Sequence, residues 1–393
     1  MRITDFFDSY GDVNWNFIEN IPCFKKLAET PHSLKWHKEG SPMVHTKNVV
    51  NEMIKILDNQ MPDLSEDMRR IAIAGAICHD LGKAETTKWN KEKQDYGCFN
   101  HGAVGERITR KLLWYEDILI RECVCYMVRN HMTLHHIFDK PELTEKKFQK
   151  LHYGMVPFRL MLALNEADSR GSKNDIETED MITEKIEKIK RHMPLKSDIK
   201  WNDVKRSFSD YDGEVDNTKG DFKVIVLIGL PGSGKSTLAK NYLGLFPKVS
   251  RDDIRGELGI GGATPENGKK VVGTKEEEEK VSEIFNERVI KYCEEGKTFV
   301  IDNTNLRTSY RMAYNQLVMK YNPMIVYYYV ETPHFDDSMN RRFGQIGEQV
   351  YDRMWKSFDF PQLYECDELH IMKQVRNEHT SEYVLMQYEI EKK

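Results

Sequence analysis

The sequence lacks the marks of a secreted, disulfide-bonded or membrane-spanning protein. No apolar run approaches the roughly 20 residues that a helix needs to cross a bilayer. The 7 cysteines form no CxxC pair, and their odd number argues against a complete disulfide framework. The first residues, MRITDFFDSYGDVNWNF, are acidic and aromatic, unlike a signal peptide. We therefore expect a cytoplasmic protein with reduced thiols and no membrane contact.

The sequence also lacks an excess of positive charge. A net charge of −5 gives no overall attraction to nucleic acid, so any contact with a polynucleotide must depend on local basic patches. The composition, 39% hydrophobic and 31% charged, is typical of a soluble globular protein. A chain of 393 residues is too long for one ordinary core and indicates two domains.

The two halves of the sequence differ in pattern. Nine of the 13 histidines precede residue 153, and the apolar spacing from about 43 to 190 is helical. We predict an all-helical domain over 1–195, with its core at about 43–175. Residues 196–222 are polar and predict a linker. Short apolar runs then alternate with helical segments over 223–393, which predicts an α/β domain with a parallel sheet.

A phosphate-binding loop is predicted at 229–237, where the sequence GLPGSGKST fills G-x-x-x-x-G-K-[ST] between a predicted strand and helix. The glycines allow backbone N–H groups to surround phosphates, Lys235 brings charge to them, and Ser236 offers a hydroxyl to Mg²⁺. We expect ATP, or another nucleoside triphosphate, to bind with Mg²⁺. The predicted contact residues are Gly229, Gly232, Ser233, Gly234, Lys235, Ser236 and Thr237.

The segment SRDDIR follows the next predicted strand and places acidic and basic residues at the carboxyl edge of the sheet, where open α/β folds bind ligands. A carboxylate of Asp252 or Asp253 there can accept a proton from an attacking hydroxyl, and Arg255 can bind a phosphate through two N–H groups. A cap of the following helix is the alternative role for the two aspartates.

Two further acidic segments lie at a predicted strand end and at a predicted helix start. The strand TFVID ends in Asp302, which we expect to orient Mg²⁺ or its water. Asn303 and Asn305 either contribute to the site or only organise a turn. The EEEE run at 276–279 opens a predicted helix, where we expect a solvated capping role that complements the helix dipole rather than a metal site.

The segments GLPGSGKST, SRDDIR and DNTNLR resemble, in order and spacing, the phage-type 5′-hydroxyl polynucleotide kinases over roughly 223–358. The resemblance implies that Lys235 and Ser236 bind the phosphates and Mg²⁺, that Asp252 is the general base on the 5′-hydroxyl, and that Arg255 contacts the acceptor phosphate. Asp253, Asp302 and Asn305 take supporting positions.

The family's lid carries two arginines on a helix over the nucleotide. Here the segment reads MNRRFGQIGEQVYDRM, with Arg341 at the first position and Gln345 near the second. The resemblance therefore implies Arg341 as the lid arginine. Arg342 or Arg353 is the candidate for the second, because an arginine binds transferring phosphate better than a lysine.

A second set of residues predicts a metal centre in the helical half. His45, His79, Asp80, His101, His131 and Asp168 are of the types found in two-metal hydrolases, although no local spacing proves that they meet. Imidazole and carboxylate together suit Mn²⁺, Ni²⁺, Fe or Zn²⁺, and Asp80 is placed to bridge two ions. We expect the remaining histidines before residue 153, at 32, 37, 135, 136 and 152, to be surface residues.

The segments VHTKNVV, ICHDLGK, NHGAVGERI, VRNH and LALNEADSRG resemble those of the HD-domain phosphohydrolases over most of 43–175. The resemblance implies a first metal site of His45, His79, Asp80 and Asp168 and a second of His101 and His131. It also implies that Lys83 and Arg170 contact phosphate.

The order of the two halves resembles the bifunctional RNA end-healing enzymes. That resemblance implies removal of 2′,3′-cyclic, 2′- or 3′-phosphates by an all-α HD domain and phosphorylation of the 5′-hydroxyl by an α/β P-loop domain. RNA or DNA ends would be the substrates, and an RNA ligase a functional partner. Two alternatives stay open: both domains acting on small nucleotides or metabolites, and a nucleotide-gated sensor or binding protein.

Overall fold

The computed structural model describes residues 1–33, 35–174, 176–193, 204–205, 209, 212–216, 221–260, 273–331, 348–376 and 383–390. The chain divides into two compact units, Met1–Asp198 and Ile199–Lys393. Among the described residues, every helix is too short or too polar to span a bilayer.

The N-terminal unit is helical, as the apolar periodicity predicted. Its helices are α1 (Trp15–Ile18), α2 (Pro22–Ala28), α3 (Pro42–Gln60), α4 (Glu66–Cys78), α5 (Lys83–Thr86), α6 (His101–Leu112), α7 (Ile118–Asn130), α8 (Met132–His135), α9 (Thr144–His152), α10 (Phe158–Gly171) and α11 (Glu179–His192). Short 3-10 helices occupy Ile3–Phe6 and Pro141–Leu143.

One apolar core joins these helices. Helix α3 begins at Pro42, capped by the Ser41 hydroxyl, and buries apolar residues at 49, 50, 53, 56 and 57, a spacing that places them on one face. That face packs against α10 and α4. This packing therefore fixes the positions of the helices that carry predicted metal ligands.

A buried ionic network fixes α6 against α7. Arg110 of α6 donates to both carboxylate oxygens of Glu122 in α7, from Nε to Oε1 at 3.0 Å and from Nη2 to Oε2 at 2.7 Å, and to Glu106 at 2.7 Å. His101 begins α6 and His131 follows α7, so this pairing also sets the separation of the two histidines. Such a bidentate pair confers geometric precision as well as energy.

A small antiparallel hairpin interrupts the helices. Strands β1 (Thr87–Asn90) and β2 (Asp95–Cys98) pair Thr87 with Cys98 and Trp89 with Tyr96. The expectation of an exclusively helical domain missed this hairpin, because four-residue strands are too short to show a period in the sequence.

The C-terminal unit is a six-stranded sheet with the order β4-β5-β3-β6-β7-β8. Its strands are β3 (Lys223–Ile228), β4 (Lys248–Val249), β5 (Phe299–Asp302), β6 (Met324–Glu331), β7 (Glu368–Arg376) and β8 (Tyr383–Ile390). The first five are parallel, and β8 runs antiparallel to β7. The prediction of an α/β domain with a parallel sheet is therefore confirmed, with one antiparallel edge strand added.

The helices of this unit are α12 (Lys235–Tyr242), α13 (Arg251–Glu257), α14 (Lys275–Glu294), α15 (Thr308–Val318) and α16 (Glu348–Lys356), with 3-10 turns at Met319–Tyr321 and Leu363–Glu365. Lys205, from the segment predicted as a linker, is buried and lies 2.8 Å from Asp367. Strand β3 lies between β5 and β6, so the loop that follows it opens at the middle of the carboxyl edge.

A buried ion pair supports this unit and gives a stability prediction. Nε of Arg311 in α15 lies 2.6 Å from Oε2 of Glu365, and both side chains are fully buried. Replacing Arg311 with methionine leaves the Glu365 carboxylate buried without its partner, which typically costs about 3–5 kcal/mol of unfolding free energy. Hydrogen exchange of peptides from β3, β5 and β6 at increasing urea concentration would measure this loss.

The matched control for that substitution is Arg307→Ala, which removes an exposed arginine from the residue before α15. We expect a change within about 0.5 kcal/mol, as is usual at the surface. Equal protection of the sheet in both variants would show that the buried pair does not stabilise the unit.

Candidate active sites

The six side chains predicted as metal ligands are brought together by helix packing. They are His45 in α3, His79 and Asp80 directly after α4, His101 at the first residue of α6, His131 directly after α7, and Asp168 in α10. All six are buried. A glycine allows the close approach, because a Cβ on Gly82 would lie 1.9 Å from the carbonyl oxygen of His101.

The ligand atoms form two groups of three, and Asp80 lies between them. One group is His45, His79 and Asp168, the other is Asp80, His101 and His131, and in each the ligand atoms lie within 4.8 Å of one another. Oδ2 of Asp80 is 3.4 Å from Nε2 of His79, while its Oδ1 is 3.5 Å from Nε2 of His101. Asp80 thus presents one oxygen to each group, as a bridging carboxylate does.

Backbone carbonyls orient three of the four histidines. Nδ1 of His79, His101 and His131 donates a hydrogen bond of 2.7, 2.9 and 2.7 Å, respectively, to the carbonyl oxygen three residues earlier. A carbonyl oxygen can only accept, so the proton resides on Nδ1 and the Nε2 lone pair faces the centre. This is the tautomer that binds metal through Nε2.

The contact between His101 and His131 shows that the centre fits a cation. Their Nε2 atoms lie 2.9 Å apart, and burial lowers the pKa of both imidazoles, so both rings are neutral at pH 7. Two lone pairs at that distance repel each other unless a cation lies against them. Nε2 of His79 is likewise buried and has no hydrogen-bond partner among the described residues. This nitrogen and oxygen donor set suits divalent transition metals.

Glu39 orients the fourth histidine, a role that the sequence did not reveal. Its Oε1 lies 3.0 Å from Nδ1 of His45, and the opposite ring nitrogen, Nε2, lies 2.9 Å from Oδ1 of Asp168. Burial opposes a charge on His45, but the hydrogen bonds with Asp168 and Glu39 raise its pKa to about 9. A cation bound at Nε2 would take the place of that proton, while Glu39 holds the ring in position.

Removing the Glu39 carboxylate should therefore weaken metal binding without removing a ligand. We expect Glu39→Ala to lower metal affinity about 10- to 100-fold, the usual effect of losing an outer partner of a ligating histidine. Competition with a chelator, followed by elemental analysis of the protein, would measure it. Glu29→Ala, which removes an exposed carboxylate after α2, should retain the parent affinity, and equal affinities in both variants would contradict the role of Glu39.

Lys83 lies at the centre, as the resemblance implied. Its Nζ is 2.7 Å from Oδ2 of Asp80 and donates to Nε2 of His32 at 3.1 Å. Burial alone would lower the pKa of Lys83, but the Asp80 charge raises it above its ordinary value. The lysine is therefore a buried, fixed positive charge beside the bridging carboxylate, suited to an anionic substrate group.

The structure does not bring Arg170 to this centre. Its guanidinium lies 3.1 Å from Glu166 and pairs with Glu179, and Arg170 does not line the cavity beside the six ligands. The expectation that Arg170 contacts phosphate is not supported by this arrangement, because two carboxylates hold the side chain elsewhere. Lys185 of α11, which the sequence did not single out, does line the cavity.

Four histidines expected at the surface, at 32, 37, 135 and 136, line the cavity. Nε2 of His135 lies 2.8 Å from Oδ2 of Asp168, while His32 and His37 stack at 3.7 Å with the rings nearly parallel. His136 is exposed, as expected. The surface prediction was wrong for His32, His37 and His135, because the sequence could not show which helix face or loop meets the carboxylates.

Three of the metal-ligand residues and several of their neighbours border a cavity of about 390 Å³. The centre contributes Asp80, His101 and Asp168, and the walls include Lys83, Lys185 and His135. A cavity of this size accepts one nucleotide-sized group. Its lining of cations and potential metal ligands favours a phosphate.

In the C-terminal unit, the loop after β3 has the backbone that the sequence predicted for phosphate binding. Gly232 and Gly234 have φ values of 83° and 100°, which other residues rarely adopt. Lys235 begins α12, and its Nζ donates to the carbonyl oxygens of Gly229 and Leu230 at 2.7 and 2.9 Å. Ser236 and Thr237 follow as exposed residues, while Ser233 is buried within the loop. Because Lys235 begins α12, the positive end of that helix lies at the loop.

Asp252 and Arg255 lie in the first two turns of α13, directly after β4. Nη1 of Arg255 is 2.7 Å from Oδ1 of Asp252, and the rest of the guanidinium forms a two-point pair with Glu278, at 2.7 and 2.8 Å. The Asp252 side chain is 67% exposed, so it remains open to a ligand. The capping role expected for the EEEE run is confirmed, because Glu277 forms a capping box with Thr274 at the start of α14. Glu278 of the same run also orients Arg255.

The end of β5 also reaches the loop. Asp302 pairs in register with Leu227, and burial raises the pKa of its carboxyl. Asn305 is buried with a φ of 48° and donates to the carbonyl oxygen of Leu227 at 2.7 Å. Asn303 accepts from the backbone N–H of Arg251 at 3.0 Å. Both asparagines therefore organise the backbone here.

The lid segment is described only in part. Arg341, Arg342 and Gln345 lie outside the described residues. Arg353 is exposed in the last turn of α16.

Asp253, the supporting aspartate of α13, lies with its Oδ2 2.9 Å from Nζ of Lys248 in β4.

Comparison with known proteins agrees with both resemblances. Residues 45–195 match the HD domain family, and residues 224–345 match the family described as AAA domain, a P-loop fold. The chain therefore carries an HD domain followed by a P-loop domain. These matches confirm the two modules that the sequence motifs predicted.

Three relatives show partial similarity. A putative bifunctional polynucleotide kinase/RNA ligase of Autographa californica nuclear polyhedrosis virus is 31% identical over 140 residues, 34% of this chain and 19% of the relative. Multifunctional CCA proteins of Mannheimia succiniciproducens and Pasteurella multocida are 29% and 30% identical over 161 and 156 residues, in each case 38% of this chain and 35% of the relative. The chain thus spans only about a fifth to a third of the length of these relatives.

Proposed function

We propose that this chain heals RNA ends. The P-loop domain would transfer the γ-phosphate of ATP to a 5′-hydroxyl end, and the HD domain would remove 2′,3′-cyclic, 2′- or 3′-phosphates. The observation that carries the proposal is the Asp80 carboxylate, which lies between two buried groups of ligands on a chain that also holds a complete phosphate-binding loop.

The HD centre supports hydrolysis of a phosphate ester. Its six ligand residues would hold two divalent ions of the Mn²⁺, Ni²⁺, Fe or Zn²⁺ class, which supply Lewis-acid activation of phosphate and water. Lys83 offsets negative charge on the substrate from 2.7 Å beside Asp80. His135 lies against Asp168 at the cavity wall and can hold or move a proton there.

The P-loop site supports transfer to a hydroxyl. Ser236 would bind Mg²⁺, and Lys235 would bind the phosphates of ATP. Asp252 is the exposed carboxylate at the same edge and would take the proton of the 5′-hydroxyl, while Arg255, oriented by Glu278, would contact the acceptor phosphate. Arg341 completes the proposal as the lid arginine.

The two activities are complementary. RNA cleaved without a metal ion carries a 2′,3′-cyclic phosphate and a 5′-hydroxyl, whereas a ligase needs a 3′-hydroxyl and a 5′-phosphate. The similarity to a relative described as polynucleotide kinase/RNA ligase supports RNA or DNA ends as substrates. We therefore propose that the chain prepares ends for an RNA ligase.

The acceptor distinguishes this proposal from action on small nucleotides. With labelled ATP, we expect phosphate transfer to an oligonucleotide 5′-hydroxyl, and little transfer to a nucleoside 3′-monophosphate at the same concentration. Preference for the mononucleotide would contradict the end-healing function, and bound ATP that never turns over would favour a sensor.

A further inference from the structure

One face of the β1–β2 hairpin lines the HD cavity. Because Thr87 pairs with Cys98 and Trp89 with Tyr96, these four side chains project from the same side of the two strands. Thr87, Cys98 and Tyr96 line the cavity, and Trp89 continues the face outward. The hairpin therefore forms a surface that leads from solvent to the metal ligands.

This surface is aromatic although it is exposed. Trp89 and Tyr96 are 48% and 38% exposed, and their ring centres lie 5.0 Å apart. Trp36, which lies before α3, is 43% exposed and lines the same cavity. A hydrogen bond from Ser33 to Asp95 ties the Trp36 segment to the hairpin. Single exposed rings are ordinary, but a group of rings at a cavity mouth indicates binding.

The same two segments are locally basic. The exposed lysines on them are Lys35, Lys38, Lys88, Lys91 and Lys93. The carboxylates on the two segments are Glu39, Glu92 and Asp95. Glu39 contacts His45, and Asp95 accepts the hydrogen bond from Ser33. On a chain with a net charge of −5, this is a positive patch beside the cavity. Such a patch attracts a phosphodiester backbone.

We propose that Trp36, Trp89, Tyr96 and these lysines form a stacking rim that binds the last nucleotides of a single-stranded RNA while its terminal phosphate enters the HD cavity. The inference rests on the proposed phosphatase function and adds how the substrate is recognised. Exposed rings stack on unpaired bases without selecting a sequence, and lysines contact the backbone. The rim thus favours single-stranded ends over paired ends and over small phosphate esters.

The test uses the full-length, metal-loaded protein and two substrates. One is a ten-nucleotide single-stranded RNA with a 3′-phosphate and a 5′-fluorescein group, which removes the acceptor hydroxyl of the kinase; the other is p-nitrophenyl phosphate. For Trp89→Ala and for Tyr96→Ala, we expect kcat/KM on the RNA, divided by kcat/KM on p-nitrophenyl phosphate, to fall about tenfold through KM. Trp89→Phe, which keeps a ring, should recover most of the ratio.

Tyr115→Ala is the matched control, because Tyr115 is 68% exposed in the same unit and does not line the cavity. Its ratio should equal that of the parent protein. A parent-like ratio in both rim variants, or an equal loss on both substrates, would overturn the rim. A parent protein that hydrolyses p-nitrophenyl phosphate but not the RNA would instead contradict the proposed end-healing function on which the rim rests.

Discussion

Replacing Asp80 with asparagine should abolish phosphate release from a 3′-phosphate oligonucleotide and leave 5′-phosphorylation intact. Asp80 presents Oδ2 toward His79 and Oδ1 toward His101, so both oxygens are needed for a bridge. Asparagine has nearly the same shape but only one oxygen and no charge. We expect the loss to exceed about 100-fold, since even outer partners of ligands cost 10- to 100-fold.

The metal content of the same variant provides an independent measurement. The parent chain should retain about two ions after desalting, and Asp80→Asn one or none. Asp139→Asn is the matched control, because Asp139 lies in the same unit, pairs with His136 and is 62% exposed. Loss of both activities in Asp80→Asn would show that one composite site serves both reactions, and full phosphatase activity would exclude the bridging role.

Replacing Asp252 with alanine should abolish 5′-hydroxyl phosphorylation and spare the phosphatase. Asp252 is the exposed carboxylate of α13 whose Oδ1 lies 2.7 Å from Arg255, so its removal takes away the proposed base and one partner of the acceptor-binding arginine. General base catalysis typically contributes about 10²- to 10⁴-fold, and we expect a loss of that size in kcat. Binding of ATP should persist, because Lys235 and the loop are unchanged.

The control for Asp252 lies one turn further along the helix. Glu257→Ala removes a carboxylate from the same helix that pairs only with Arg288 among the contacts of the described residues. Its kinase rate should match the parent protein. Full kinase activity in Asp252→Ala would contradict the assignment of the base.

The sequence predicted most of the residues in both sites because they stand in contiguous motifs. In GLPGSGKST the local sequence predicts the backbone conformation. The positive φ values at 232 and 234 are ones that glycine adopts readily, and the following helix begins at Lys235. The HD ligands were predicted from segments that resemble a family, although neither spacing nor period shows that six side chains from distant helices meet.

The residues that sequence reasoning missed act through tertiary contacts. Glu39 meets His45 and Glu278 meets Arg255 across 6 and 23 positions of chain, and neither stands in a motif. His135 reaches Asp168 only because α8 packs against α10. For Arg170 the family resemblance implied a phosphate contact, but its guanidinium pairs with Glu166 and Glu179.

The most direct measurement is an incubation of the metal-loaded chain with ATP and one RNA that carries a 5′-hydroxyl and a 2′,3′-cyclic phosphate, followed by mass analysis of both ends. We predict a product with a 5′-phosphate and a 3′-end free of phosphate, and we expect Asp80→Asn and Asp252→Ala each to fail at one end only. An RNA unchanged at both ends, with ATP and free nucleotides consumed instead, would contradict it.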